Sequence, residues 1–293
     1  MSLLSAGARR TLADNKWRYL SMAAGFVLFV APFALFTRLI YAIIGNTANA
    51  TLHSVCFRMP VDWVFGGRFN ALWGSVAAAF VVGVVVLSYF VGPLFCGWLC
   101  PLGSIGEALS RWLPGARRFR LRIRDSQVTS AMRWGFMAGF VLISVLIGYR
   151  IAPGVLGSIC CRFCNASVLQ NCAWAAMGDP EQLGYWSSGS IPAAGGWLLA
   201  GGALFAGGRG WCLFFCPLGA LSGAAHRLGA WRGLLATRFD KTRCKECVGC
   251  LVTCPTGAIR PDGMVQTDLC VNCYECTHAC ISGAYRCSRA QRN

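Results

Sequence analysis

Acidic residues are scarce in this sequence. Its 293 residues include 11 Asp and Glu against 27 Lys and Arg, and charged residues make up only 13% of the chain. A soluble domain carries about a quarter of charged residues, so this composition argues against one. The sequence also has no phosphate-cradling glycine motif, no nucleophile elbow and no kinase signature, which argues against the enzyme classes that these motifs identify.

Charge is missing altogether from several long stretches of the chain. Residues 69–106 hold no charged side chain, and hydrophobic residues make up 56% of the whole. A membrane-spanning helix needs about 20 apolar residues, and core helices of soluble proteins are usually shorter than these stretches. Four segments are therefore predicted to span a membrane: residues 19–44, 71–95, 132–152 and 191–210.

The basic residues cluster beside alternate spans. Arginines precede the first span, fill the loop between the second and the third, and follow the fourth. Because Lys and Arg accumulate in cytoplasmic loops, both termini and the middle loop are expected in the cytoplasm of a bacterium, with the chain crossing the inner (cytoplasmic) membrane several times. The net charge of the chain is +16, and its basic loops are expected to contact anionic lipid headgroups. No nucleic-acid partner is expected.

Two cysteine runs near the C-terminus carry the strongest chemical signal. Each run places three cysteines on a tight loop and a fourth one helical turn further on. In two-cluster ferredoxins this fourth cysteine ligates the other cluster. Zinc is the alternative occupant, but its ligands usually come as two separated pairs. The runs predict two [4Fe–4S] clusters, one held by Cys244, Cys247, Cys250 and Cys280, the other by Cys270, Cys273, Cys276 and Cys254.

A second cysteine motif, Cys-x-x-x-Cys-Pro, occurs twice. Cys96 and Cys100 follow the second predicted span, and Cys212 and Cys216 follow the fourth. The membrane part therefore reads as two copies of one hairpin, with both motifs at the cytoplasmic face. Cysteines at positions i and i+4 share one helix face. The four thiols are candidates for a metal site or a redox-active thiol pair, and the alternative is four small buried residues at helix ends.

Together these features predict an α-helical membrane protein with four transmembrane helices in two repeated hairpins, within residues 1–239. A small C-terminal α+β domain, resembling a bacterial 2[4Fe–4S] ferredoxin, is expected at residues 240–293. In such a chain the clusters supply the redox step, while the protein binds, orients and tunes them.

The paired Cys-x-x-x-Cys-Pro motifs, followed by a tandem ferredoxin module, resemble the NapH/MauN group of polytopic membrane ferredoxins. NosR and CcoG (FixG-like) proteins share these motifs. The resemblance covers nearly the whole chain. For the NapH branch it implies a quinol dehydrogenase component, which draws on the membrane quinone pool and passes electrons to a soluble or periplasmic ferredoxin and reductase.

Two other functions stay open. The chain could itself be an electron-supplying maturation or assembly factor for a periplasmic metalloenzyme, as a MauN-, NosR- or CcoG-like kinship suggests. It could also serve as an anchor whose clusters dock a soluble redox partner. Five further cysteines favour the maturation role, because the topology places them outside. The five are Cys56, Cys160, Cys161, Cys164 and Cys172. All are candidates for disulfides, and Cys160, Cys161 and Cys164 are also candidates for a metal or redox site.

Oxidation of a quinol releases protons, so a proton-accepting residue is expected near a membrane face. Candidates in the outer loops are His53, Asp62, Asp179 and Glu181, each of which could equally be an ordinary solvated residue. His278 lies within the second cysteine run and is expected to tune or shield a cluster. Cys287 matches no motif.

The topology can be tested by thiol labelling of intact cells. A membrane-impermeant maleimide is expected to modify Cys160 or Cys161, if these thiols are reduced, and to spare the C-terminal cysteines. Mass spectrometry of the labelled chain reads the outcome, and permeabilised cells serve as the control. Labelling of Cys247 in intact cells would contradict the cytoplasmic placement of the C-terminal domain.

Overall fold

The computed structural model describes residues 16–30, 33–44, 55–112, 126–154, 156, 164–178, 195–196, 199, 204 and 206–289. Most of these residues are helical. The α-helices, in chain order, are α1 Lys16–Phe29, α2 Leu35–Ile44, α3 Arg58–Phe65, α4 Val76–Val91, α5 Pro101–Trp112, α6 Ser126–Gly148, α7 Asn165–Ala176, α8 Pro217–Trp231, α9 Gly249–Thr253 and α10 Glu275–Ala279. Short 3-10 turns lie at Phe69–Ala71, Ala206–Gly208 and Lys241–Arg243.

One helix of the described part is long and apolar enough to cross a membrane. It is the Gln127–Gly148 stretch of α6, which corresponds to the third predicted span. The second span is represented by α4, which has only 16 residues. Ser75 begins α4 by accepting a hydrogen bond from the Ala78 backbone at 3.3 Å, and Gly92, at a φ of 86°, ends it.

The first and fourth predicted spans differ from continuous helices. The first is divided into α1 and α2, with Ala34 between them at a φ of 41°. A positive φ cannot be part of a right-handed helix, so the chain changes direction there. Most of residues 191–210 lie outside the described residues, and the described end, Ala206–Gly208, is a 3-10 turn.

The two Cys-x-x-x-Cys-Pro motifs adopt the same local structure. Each begins with a five-residue π-helical turn, π1 at Phe95–Leu99 and π2 at Trp211–Phe215. The second cysteine of each motif is extended, and its backbone N–H closes the turn onto a carbonyl five residues earlier. Proline then starts the next helix, where its missing N–H costs nothing. The cysteine pairs are therefore set by a π-turn, which corrects the expectation of simple α-helical spacing.

The C-terminal module is closed by its two strands. β1 (Ala236–Phe239) pairs antiparallel with β2 (Tyr285–Ser288), in the register that sets Phe239 opposite Tyr285. The short helices α9 and α10 come between the two strands in chain order and pack against each other. Leu213 and Phe214 of π2 are buried in the same apolar core as Leu269 and Tyr285, so this module shares its core with the second repeat.

The loop before α10 lies directly on the first repeat. A Cβ atom added at Gly97 in π1 would overlap the carbonyl oxygen of Val271, so the two backbones approach as only glycine allows. The indole Nε1 of Trp98 donates to the carbonyl of Asn272 at 3.0 Å. The buried Asn272 side chain in turn donates to the carbonyl of Val91 at 2.8 Å, where α4 ends.

Replacing Gly97 with alanine tests this contact. Gly97→Ala is expected to lower the free energy of unfolding by about 1–3 kcal/mol, because the added methyl group overpacks the interface. Gly135→Ala is the matched control, since a Cβ at Gly135 meets nothing within 4 Å. Thermal unfolding in detergent measures both. Equal melting temperatures for the two variants would contradict the docking.

Candidate metal centre

The two C-terminal cysteine runs share an unusual backbone conformation. Cys247 lies between Glu246 and Val248, whose φ angles are 52° and 50°, and Cys273 lies between residues with φ angles of 46° and 58°. Residues other than glycine rarely adopt such φ angles. The surrounding structure therefore holds these backbone segments in a strained conformation. When left-handed residues alternate with right-handed ones, successive N–H groups can turn towards one point and bind an anion. An anionic iron–sulfur cluster fits both loops.

The geometry brings Cys254 to the second run. Burial raises the pKa of Cys270 to about 12 and that of Cys273 to about 11, and the neighbouring Cys254 thiol contributes to both shifts. At the other end, the carbonyl of Ala279, next to Cys280, lies 4.0 Å from the position of a Cβ on Gly249 in the first run. This is the exchange of fourth cysteines that crossed ligation requires, and the two ligand sets stay a prediction.

These buried thiols need a metal in order to ionise. Thiols with a pKa near 11 or 12 stay protonated at neutral pH, and metal binding releases their protons. Within the described ranges, no three Cys, His, Asp or Glu groups lie close enough to hold a single ion. The eight cysteines of the two runs are soft sulfur donors, and thiolates are the ligands that hold iron–sulfur clusters. When bound, each [4Fe–4S] cluster would accept or give one electron.

The four thiols of the repeated motifs also come together. The thiol of Cys212 donates a hydrogen bond to the sulfur of Cys100, which joins the two repeats, and this bond is the main reason that the pKa of Cys100 falls to about 6. Burial raises the pKa of Cys96, and Cys100 and Cys216 add to that effect. Candidates from two distant parts of the chain therefore form one thiol group.

Cys164 lies near this thiol group. Burial is the main reason that the pKa of Cys216 rises to about 12, and the Cys164 thiol contributes to the shift. Helix α7, which begins after Cys164, packs against α5. The described part of the loop after the third predicted span therefore packs against the repeats. The topology prediction places this loop at the outer face of the membrane, away from the repeat motifs.

A small cavity separates this thiol group from the second cysteine run. Its volume is about 20 Å³. Cys96, Cys212 and Arg133 line this cavity, together with Cys270 and Val271 of the second run. The two sets of thiols are therefore neighbours across one gap.

A buried ion-pair network holds α1, α5 and the C-terminal module together. The guanidinium of Arg18 is fully buried and donates to both carboxylate oxygens of Glu107, at 2.9 and 2.7 Å, and to Glu275 at 2.5 Å. Arg209 donates to Glu107 at 2.9 Å and to the carbonyl of Cys96 at 2.5 Å. These residues come from four separate elements, so the network fixes their mutual positions.

The network keeps Glu107 ionised. Burial alone would raise the pKa of Glu107, but the charges of Arg209 and Arg18 outweigh it and lower the pKa to about 2. Arg111 also pairs with Glu107 and Glu275, so three guanidinium groups face two carboxylates and one positive charge is left over. That excess lies beside the second cysteine run, because Arg18 interacts electrostatically with Cys273.

The other residues singled out from the sequence fall into three groups. His53, Asp179, Glu181, Cys160 and Cys161 lie outside the described residues. The Asp62 carboxylate accepts a hydrogen bond from Arg58 at 2.7 Å, one turn away. Cys56 and Cys172 are half-buried, and Cys172 lies in α7. The remaining two fall near the second run: His278 in the last turn of α10, and Cys287, whose thiol donates to Tyr274 at 3.6 Å.

Sequence reasoning missed the charged residues of the site. Arg18, Arg209 and Glu107 lie in or beside apolar segments, and that isolation was the available signal, since charges placed in apolar segments usually serve function. Asn272 carried no comparable signal. It is fully buried and accepts hydrogen bonds from Thr237 at 3.4 Å and from the Cys270 thiol at 3.3 Å.

Comparison with known proteins places this geometry in a family context. A family model described as a 4Fe-4S binding domain matches residues 73–120 and 192–234. Each matched stretch contains one Cys-x-x-x-Cys-Pro motif together with the helix that follows it, α5 or α8. The match therefore falls on the two repeats and ends before the C-terminal cysteine runs.

Named relatives agree with this match. The ferredoxin-type protein NapH of Haemophilus influenzae is 26% identical over 220 residues, which cover 70% of this chain and 66% of that protein. The methylamine utilization ferredoxin-type protein MauN of Methylorubrum extorquens is 28% identical over 251 residues, or 82% of this chain and 76% of that protein. The chain is therefore similar to the ferredoxin-type proteins NapH and MauN over most of its length.

Other comparisons limit what this membership implies. The regulatory protein NosR of Pseudomonas aeruginosa is 30% identical over 218 residues, which cover 73% of this chain but 25% of NosR. The aligned part spans about two thirds of the NapH relative from H. influenzae. No solved structure matches the chain. Similarity to NapH, MauN and NosR supports a ferredoxin-type electron-transfer protein, and its reaction is argued from the site.

Neutralising Glu107 tests the buried network. Glu107→Gln leaves buried guanidinium groups without their anion, so the free energy of unfolding is expected to fall by about 3–5 kcal/mol. Asp262→Asn is the control, because the pair between Arg260 and Asp262 is about half exposed and such pairs contribute little. Chemical denaturation followed by tryptophan fluorescence measures both. A Glu107→Gln protein as stable as the control would show that the network is not structural.

Proposed function

We propose that this chain is a quinol dehydrogenase component of the bacterial inner membrane. It would oxidise a membrane quinol at its helical part and pass electrons through two [4Fe–4S] clusters in residues 240–293 towards a periplasmic ferredoxin and reductase system. The observation that carries the proposal is a cavity of about 390 Å³ that opens next to the second cysteine run.

This cavity has the lining that a quinol ring needs. Two indole rings, of Trp134 and Trp231, and the side chain of Leu228 supply apolar and aromatic walls. Arg227 and Asp268 supply polar groups. The Asp268 carboxylate is an acceptor suited to a quinol hydroxyl group. None of these residues was singled out from the sequence as a quinol or proton site.

The cavity lies between a membrane helix and the electron acceptor. Trp134 belongs to α6, the described helix long enough to span a membrane, and Trp231 ends α8. Trp231 is 75% exposed, as is common for tryptophans at a membrane interface. Asp268 is two residues from Cys270, a predicted ligand of the second cluster. A quinol bound here would stand beside the first electron acceptor.

The numbers of electrons agree with this arrangement. Oxidation of a quinol releases two electrons and two protons. Two cubanes take one electron each, so one substrate molecule fills both. The cation excess of the buried network, close to Cys273, favours the reduced and more negative state of the second cluster.

The membrane arrangement belongs to the same proposal. Four spans in two hairpins, with residues 1–239 in the membrane part and both termini in the cytoplasm, would hold the cavity near the cytoplasmic face. Arg232 lies over the ring of Trp231, 5.5 Å from its centroid, where a guanidinium group can reach lipid headgroups.

A second candidate function is the supply of electrons for maturation of a periplasmic metalloenzyme. The closeness of Cys164 to Cys216 favours it, because a further thiol beside the repeat thiols suits reduction of a metal ion or a disulfide. In this reading the electron donor is a soluble cytoplasmic protein, and the cavity has no redox substrate.

Reduction by a quinol analogue separates these functions. Purified protein is mixed anaerobically with a reduced quinol analogue, and bleaching of the cluster absorbance is followed by stopped flow. We expect reduction within seconds, and Trp231→Ala is expected to slow it about tenfold, which corresponds to about 1.4 kcal/mol of lost binding. Dithionite should reduce both proteins alike, because it does not need the cavity.

The control variant is Trp73→Ala, since Trp73 is 86% exposed and does not line the cavity. Equal rates for Trp231→Ala and Trp73→Ala would exclude the cavity as the quinol site. Clusters that ignore quinol but accept electrons from a cytoplasmic ferredoxin would favour the maturation role. Clusters reduced by neither donor would favour the anchor.

A further inference from the structure

The two cysteine runs of the C-terminal module differ in how far they are exposed. In the second run Cys273 is buried, and the loop that carries it lies against Gly97 of the first repeat. In the first run Cys247 is exposed and Cys244 is half-buried. The first predicted cluster therefore lies nearer the surface of the protein than the second.

Exposed apolar side chains border this run. Val248, Val252 and Ile281 are 58%, 54% and 77% exposed. The backbone N–H of Val252 donates to the carbonyl of Val248 at 3.3 Å, so these two residues lie one helical turn apart. The carbonyl oxygen of Ala279, two residues before Ile281, is 4.0 Å from the position of a Cβ on Gly249. Clustered apolar side chains at a surface mark a site of interaction.

The chain beside these apolar residues is basic. β1 leads directly into the first run and pairs with β2. Residues 236–247 and 285–289 hold six basic and two acidic residues, which leaves a net charge of +4. Two of the three lysines of the whole sequence, Lys241 and Lys245, lie here and are exposed. Among the ion pairs of the described residues, neither lysine has a carboxylate partner. Such a surface attracts an anionic partner and repels a cationic one.

We propose that this surface, here called the exposed edge, docks an acidic soluble ferredoxin that takes electrons from the first cluster. The exposed edge consists of Lys241, Lys245, Cys247, Val248, Val252 and Ile281. An apolar centre with a charged rim is the usual anatomy of a protein interface, and complexes for electron transfer need only a small one. The inference rests on the two clusters of the proposed function and does not depend on quinol as the electron donor.

An exposed cluster ligand favours a redox partner over a lipid surface as the occupant. Electron transfer needs a short distance between the redox groups, and docking at Cys247 would provide it. Lipid headgroups would cover the same ligand without accepting an electron. The transfer moves one electron from the reduced first cluster to the oxidised ferredoxin, and no bond forms or breaks.

Binding of a purified acidic 2[4Fe–4S] ferredoxin to the full chain in detergent tests the proposal. Both proteins are oxidised and no quinol is present, so the result is independent of quinol oxidation. Isothermal titration calorimetry at low and high salt measures Kd. We expect micromolar binding that weakens with salt, and a basic c-type cytochrome should bind at least about tenfold more weakly.

Two surface variants with matched controls locate the interface. Lys245→Glu is expected to raise Kd about tenfold at low salt and less at high salt, because salt screens exposed charges. Arg68→Glu makes the same change of charge at an exposed residue before α4 and should leave Kd unchanged. Ile281→Ser is expected to raise Kd about tenfold at either salt concentration. Its control is Ile151→Ser, since Ile151 is 72% exposed and lies after α6.

Cross-linking of the wild-type chain gives a readout that needs no variant to fold. A carbodiimide joins lysines to carboxylates in contact, and mass spectrometry should find Lys241 or Lys245 linked to the ferredoxin and Lys16 not linked. No binding, equal losses in Lys245→Glu and Arg68→Glu, or links to Lys16 alone would overturn the proposal. So would a chain that ignores ferredoxin but binds phosphatidylglycerol vesicles through Lys245, or a dimer that Ile281→Ser dissociates. A chain that ferredoxin binds but quinol does not reduce would contradict the proposed donor and support the exposed edge.

Discussion

The buried carboxylate of Glu107 is the point on which the arrangement of this protein depends. Arg18 from the N-terminal helix, Arg209 from the approach to the second repeat and Arg111 from its own helix all pair with it. Arg18 and Arg111 also reach Glu275 in the C-terminal module. Burying these charges is favourable only as a complete set, because each would be left unpaired if one element moved away.

That requirement explains how a small C-terminal module keeps a fixed place on a helical body. Backbone contact at Gly97 and the hydrogen bonds of Asn272 set the distance, while the ion pairs set the orientation. The second cysteine run then shares one small cavity with the thiols of the repeats. A larger cavity, lined by aromatic side chains, lies next to the same run. Electron transfer needs short and constant distances between redox groups. The ion-pair network contributes to it by fixing the position of the C-terminal module.

Local patterns were readable from the sequence, and long-range ones were not. The two cysteine runs predicted their loops, since each ligand loop is defined by spacing over eleven residues. The repeat was readable because its motif recurs. The pairing of Arg18 with Glu275 joins residues 257 positions apart and leaves no periodic trace. The π-turns were missed because a Cys-x-x-x-Cys spacing looks the same in an α-helix. The break at Ala34 follows Pro32, a residue type that interrupts helices, and the prediction of a single span did not use that signal.

Low-temperature EPR of the dithionite-reduced, anaerobically purified chain tests the central claim most directly. Two cubanes held close together in the C-terminal module should give broadened signals from interacting spins, and Cys247→Ser should simplify that spectrum by removing a ligand of one cluster. A wild-type sample with no iron-dependent signal, and with zinc bound to the C-terminal cysteines, would contradict the account.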